Sequence, residues 1–135
     1  MQSTAQAVPV SRGARWLGWI VSILPALLLF FSAFLKFAKP PSVVEGFTKF
    51  GYPERLVLIL GIIECSCTVI YLIPRTAILG AILLTGYLGG AVATHVRIGD
   101  PTFVMPALCG VLVWLGLYLR EPRLRRLAPF RSLLR

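Results

Sequence analysis

Four long apolar runs constrain this chain more than any other feature. The first, Trp16 to Leu35, carries no charge and is bounded by Arg15 and Lys36. The second, Leu56 to Ile73, is interrupted only by Glu64. The third, Thr76 to Thr94, is uncharged and rich in glycine, and the fourth, Pro101 to Leu119, is uncharged and closed by Arg120. Each run is close to the roughly 20 residues that span a bilayer as a helix. Lipid offers no partner for backbone N–H and C=O groups, so such runs must be helical. A signal peptide has a shorter apolar core, about 7–15 residues, so the first run reads as a retained helix. Pro25 falls inside it, a position for a kink that membrane helices tolerate.

Hydrophobic residues make up 57% of the 135 residues and charged ones 14%, too little polar surface for a soluble domain of this size. Fourteen Lys and Arg against five Asp and Glu give a net charge of +9. A basic chain can mean nucleic acid. In so apolar a sequence the cations read instead as anchors at the membrane surface, with no nucleic-acid partner. Cys65 and Cys67 are two apart, about 200° on a helix, and should not bridge. With Cys109 they read as small buried residues, and no C-x-x-C pair is present.

Short connections at Pro74–Thr76 and Arg97–Pro101 make successive helices antiparallel neighbours. The connection from Lys39 to Pro53 is longer. Ser42 and Glu45 have capping-box spacing, Gly51 is a helix stop and Pro53 suits a first helical turn. A short amphipathic helix is therefore expected near Val43–Phe50, with Val43, Phe47 and Phe50 toward membrane or bundle. The expected fold is all-α: an antiparallel bundle of four transmembrane helices, at about 16–38, 54–73, 76–97 and 101–119, with that short helix between the first two. Residues 1–15 are expected to be disordered, 16–120 to form the membrane domain, and 121–135 to be a basic amphipathic tail broken near Pro129. With both termini cytoplasmic, nine cations fall inside and five outside, which favours that orientation in a bacterial inner membrane.

Glu64 is the most informative residue. A carboxylate mid-span costs roughly 2.5–3.5 kcal/mol on insertion scales, so it should face the bundle and have a partner. Gly61, Cys67, Thr68 and Tyr71 share its face, while Leu58, Ile62 and Val69 lie opposite and suit lipid. It can carry a proton, anchor a ligand, or only pin helices together. Lys36 continues a stripe of Ser22, Ala26, Leu29 and Ser32, and can snorkel outward or reach Glu64. His95, the only histidine, is no metal site alone, but it can relay protons or take a backbone partner. Arg97 lies about 200° from His95, on the face of Gly90 and Thr94, and either snorkels or joins the cluster. Tyr87 is level with Glu64. Gly86, Gly89 and Gly90 mark the third helix for close packing, with G-x-x-x-G spacing between Gly86 and Gly90.

Leu35-Lys36-Phe37, Gly51-Tyr52-Pro53, Gly61-Ile62-Ile63-Glu64 and the run from Leu72 to Arg97 resemble the DoxX-like family of small four-helix membrane proteins. The resemblance extends from about Trp16 to Arg120. It implies the fold already derived and a link to membrane redox systems. The sequence itself shows no heme ligand pair, C-x-x-C or dinucleotide fingerprint, so enzyme activity stays open. Three functions follow. One is an accessory subunit of a membrane redox complex with a quinone-sized pocket, where Lys36, Glu64, Tyr87 and His95 or Arg97 form a polar cluster. Another is a structural or assembly factor, or a homo-oligomer, using a small-residue face. The last is a small proton-coupled transporter resembling dimeric multidrug exporters, whose glutamate lies in the first helix rather than the second. An interior cavity beside Glu64 favours the first or last, and a solid interior favours the second.

Overall fold

A computed structural model describes residues 9–127. Among the described residues six α-helices follow in order: α1 (Arg12–Ala38), α2 (Pro41–Lys49), α3 (Arg55–Leu72), α4 (Ala77–Arg97), α5 (Val104–Arg120) and α6 (Pro122–Leu127), with a 3-10 turn at Pro101–Phe103 before α5. Among the described residues four spans are long and apolar enough to cross a membrane: α1, α3, α4, and the turn with α5. They form a ring in which α1 packs on α3 and α5, and α4 packs on the same two. Large apolar side chains such as Ile20, Leu27, Phe31, Ile62 and Val111 stand fully outward. In water such a surface would aggregate, and in a bilayer it meets acyl chains.

The expected spans hold, with ends displaced by local chemistry. The first helix begins four residues before the expected Trp16, because Ser11 caps it by accepting the Ala14 N–H at 3.2 Å. Arg12–Arg15 are therefore helical, not part of a disordered segment; residues 1–8 lie outside the described residues. α1 runs unbroken through the buried Pro25. The basic tail forms α6 as far as Leu127, and Pro129 with the rest of the tail lies outside the described residues.

The short helix between the first two spans is present, but the Ser42–Glu45 capping box is not. α2 starts at Pro41 with Pro40 as its N-cap, and no side chain caps it. Proline at the first helical position has no N–H to satisfy and a pre-set φ, so the helix starts before Ser42. Gly51, at φ +84°, provides the stop, in the left-handed region that suits glycine. Pro53 precedes α3 by two residues rather than entering its first turn.

Close helix approach is not made at Gly86, Gly89 or Gly90. A Cβ added at any of the three meets nothing within 4 Å. α4 packs through Ala77, Gly80, Ala81, Leu84 and Leu88 instead. At Gly80 a side chain would collide with the backbone of Tyr71 on α3. The spacing was legible, but the packed face is fixed by the short Pro74–Thr76 turn, which forces the start of α4 onto the end of α3. Other tight approaches are at Gly61 against Lys36, Gly18 against Arg120 and Gly116 against Ser22.

Candidate functional site: a buried ion pair on an apolar cavity

Helical spacing aligns Val57, Gly61, Glu64, Cys67, Thr68 and Tyr71 on the buried face of α3, while Leu58, Ile62 and Val69 face outward. Glu64 thus points into the ring. Along α1, Ser22, Ala26, Leu29 and Lys36 are buried in the same way. Gly61 lets the two helices close, since its missing side chain leaves room for the Lys36 Cβ, 3.0 Å from where a Cβ would stand. Lys36 Nζ then reaches Glu64 Oε2 at 2.7 Å and donates to Ser32 Oγ at 2.6 Å. Both charged side chains are almost wholly enclosed, at 11% and 3% exposure. Each supplies the counter-charge that makes the other tolerable there.

The pair forms part of the wall of a cavity of about 530 Å³. That volume is within the range of small-molecule sites. α1 contributes Leu28, Leu29 and Ser32; α3 contributes Leu60; α5 contributes Met105, Pro106 and Cys109. From α4 come Gly86, Tyr87, Leu88, Gly90, Ala91, Thr94 and His95. Tyr87 stands beside the Glu64 carboxyl. α2 and the segment after it cover one end with Phe47, Phe50 and Tyr52. A smaller crevice of about 240 Å³ lies between α1 and α2 and also touches Lys36.

His95 lines the same cavity near that end. Its Nδ1 is 2.7 Å from the Ala91 carbonyl. A carbonyl only accepts, so Nδ1 carries the proton and Nε2 of the neutral ring is left as an acceptor. Phe50 packs on the ring at 4.7 Å between centroids. Arg97 does not join the cluster. It is exposed, and its guanidinium donates to the Phe50 carbonyl. The angular separation on α4 sends it to the connecting segment instead. The structure therefore brings Lys36, Glu64, Tyr87 and His95 onto one cavity and leaves Arg97 outside it. Among the described residues no three His, Cys, Asp or Glu side chains converge as metal ligands.

A second polar centre escapes a reading of the sequence. Arg120, at the end of α5, is 8% exposed. Its Nε donates to Ser22 Oγ and its Nη2 to the Tyr71 carbonyl, both at 3.0 Å. The guanidinium lies 4.2 Å from the Trp19 ring centroid and 5.0 Å from that of Tyr71. Tyr71 Oη is 2.9 Å from Ser22 Oγ and donates to the Val113 carbonyl at 2.8 Å. An arginine closing an apolar run normally reads as a snorkelling anchor. The available signal is the small stripe of Gly18 and Ser22 on α1, facing Gly116, four residues before Arg120.

Comparison with known proteins gives one relative of note. A protein of Bacillus subtilis (strain 168) named Uncharacterized protein YwoB is 29% identical over 87 residues, 57% of this chain and 56% of that relative. This chain thus spans little more than half the relative's length. No solved structure matches the chain. Residues 20–116, which hold nearly all of the four spans together with Lys36, Glu64, Tyr87 and His95, match the DoxX-like family, and the chain belongs to it.

Proposed function

We propose that the bundle binds a lipid-soluble carbonyl or hydroxyl compound, a quinone fitting best, and serves as an accessory subunit of a membrane redox system. The observation that carries this reading is the Lys36–Glu64 pair on the wall of a 530 Å³ apolar cavity. A lysine ammonium has three donors. Two are used, on Ser32 and Glu64, and the third is left for a carbonyl oxygen. Glu64 keeps one carboxylate oxygen for a ligand hydroxyl. The oxidised ring accepts from Lys36, and the reduced ring donates to Glu64, so one site suits both forms. The open interior argues against a purely structural or assembly role, which needs no cavity.

The charge bias supports a bacterial inner-membrane location with both termini cytoplasmic. α2 and His95 are then at the outer surface, and Arg120 and α6 at the inner.

Solvent extraction of the purified protein, followed by mass spectrometry, tests the binding. Wild type is expected to retain quinone, and Glu64→Gln and Lys36→Met to lose most of it while still inserting. Equal quinone content in all three, or none in wild type, would overturn the proposal.

A further inference from the structure

Four residues that line the cavity are also exposed on the flank of the bundle: Leu28 on α1, Gly86 and Gly90 on α4, and Met105 on α5. Leu28 is 44% exposed and Met105 59%. Side chains added at Gly86 or Gly90 would stand in open space. All four residues lie within spans, so this rim faces acyl chains and not water.

The end under α2 is built differently. Tyr52 Oη is hydrogen-bonded to Thr94 Oγ1 at 2.9 Å, Arg97 holds the Phe50 carbonyl, and Phe50 packs on His95. These contacts pin the connecting segment to the end of α4. The crevice beside α2 is less than half as large as the main cavity, and apart from Ser32 and Lys36 its lining is apolar. Volume adds a constraint. About 530 Å³ accommodates a ring-sized head but not a long chain as well, so a tail must leave through the rim.

We propose that the cavity is filled sideways from the bilayer, by a molecule whose oxygen-bearing head meets Lys36 and Glu64 while its long apolar tail stays in lipid. In this scheme the entrance is the rim, away from the end where Phe50 and Tyr52 are tied to α4. The proposal rests on the quinone reading and deepens it, since it selects tailed molecules of the membrane phase over small ones from water.

The experiment uses the full chain in lipid nanodiscs and two probes, a dimethoxybenzoquinone with a decyl tail and the same ring with a methyl group instead. Affinities are expressed per quinone dissolved in the lipid, so that partitioning alone does not favour the tail. The tailed probe is expected to bind about as tightly as the methyl probe on this scale, since its tail stays in lipid on binding, whereas a tail that had to be enclosed in the 530 Å³ cavity would weaken binding at least about tenfold. Gly90→Leu is expected to slow its association at least about tenfold, by narrowing the rim. Met105→Trp is expected to do the same from the other side, as an independent second variant. Binding of the tailed probe at least about tenfold weaker than that of the methyl probe, or unchanged association in the rim variants, overturns lateral entry and leaves quinone binding standing. Failure of both probes to bind wild type overturns the two together.

Discussion

Lys36 Nζ lies 2.7 Å from Glu64 Oε2, and 28 residues separate the two along the chain. The contact ties α1 to α3 in the half of the bundle that holds the cavity. Removing either partner leaves a buried charge alone, which typically costs about 3–5 kcal/mol. Lys36→Met and Glu64→Leu are each expected to lower the melting temperature in detergent strongly. The double variant should recover most of the loss, because an apolar pair of similar volume is often neutral or better. A double variant no more stable than the singles would show that the pair is not coupled.

Two glycines on one helix should respond oppositely. Gly80→Ala sets a methyl group against the Tyr71 backbone and should destabilise by roughly 1–3 kcal/mol, as overpacking does. Gly90→Leu meets open space and should leave the melting temperature nearly unchanged. The check is a pair of melting curves. A large loss at Gly90 would place a packing partner, such as a second copy, on that face.

Arg120→Lys keeps the charge but loses the fork that engages Ser22 and the Tyr71 carbonyl together, and the flat group stacked on Trp19. A loss of about 1–3 kcal/mol is expected, with quinone content per folded protein unchanged. Wild-type stability in the lysine variant would reduce Arg120 to a surface anchor.

Sidedness is tested by single cysteines in a variant lacking the native three. With both termini inside, a cysteine at Lys49 reacts with an impermeant reagent in intact cells, and one at Arg75 reacts only after lysis. The reverse pattern would invert the orientation and leave the span count intact.

Much of this arrangement was legible in the residues. A lone carboxylate in an apolar run has one tolerable direction, and the 3.6-residue period named the neighbours of Glu64 correctly. The same period put Lys36 on the stripe of Ser22 and Leu29, which made the ion pair foreseeable. Three features were not legible, each for a physical reason. Arg120 is buried only because Gly18 and Gly116, far apart in sequence, remove side chains from one seam. The glycines at 86, 89 and 90 have packing spacing, but which face of α4 packs is decided by the turn to α3. The Ser42–Glu45 signal lost to Pro40 and Pro41, whose fixed backbone started the helix first.

The seams that join α5 to α1 and α4 to α3 crowd into the half near the chain termini, where Gly18, Gly80 and Gly116 bring backbones together and Tyr71, Ser22 and Arg120 bind three helices. The bundle is therefore built like a clothes peg, with its closest backbone approaches gathered at the spring. A side chain at the rim positions Gly86 or Gly90 accordingly costs the fold little, whereas one at Gly18, Gly80 or Gly116 drives two backbones apart.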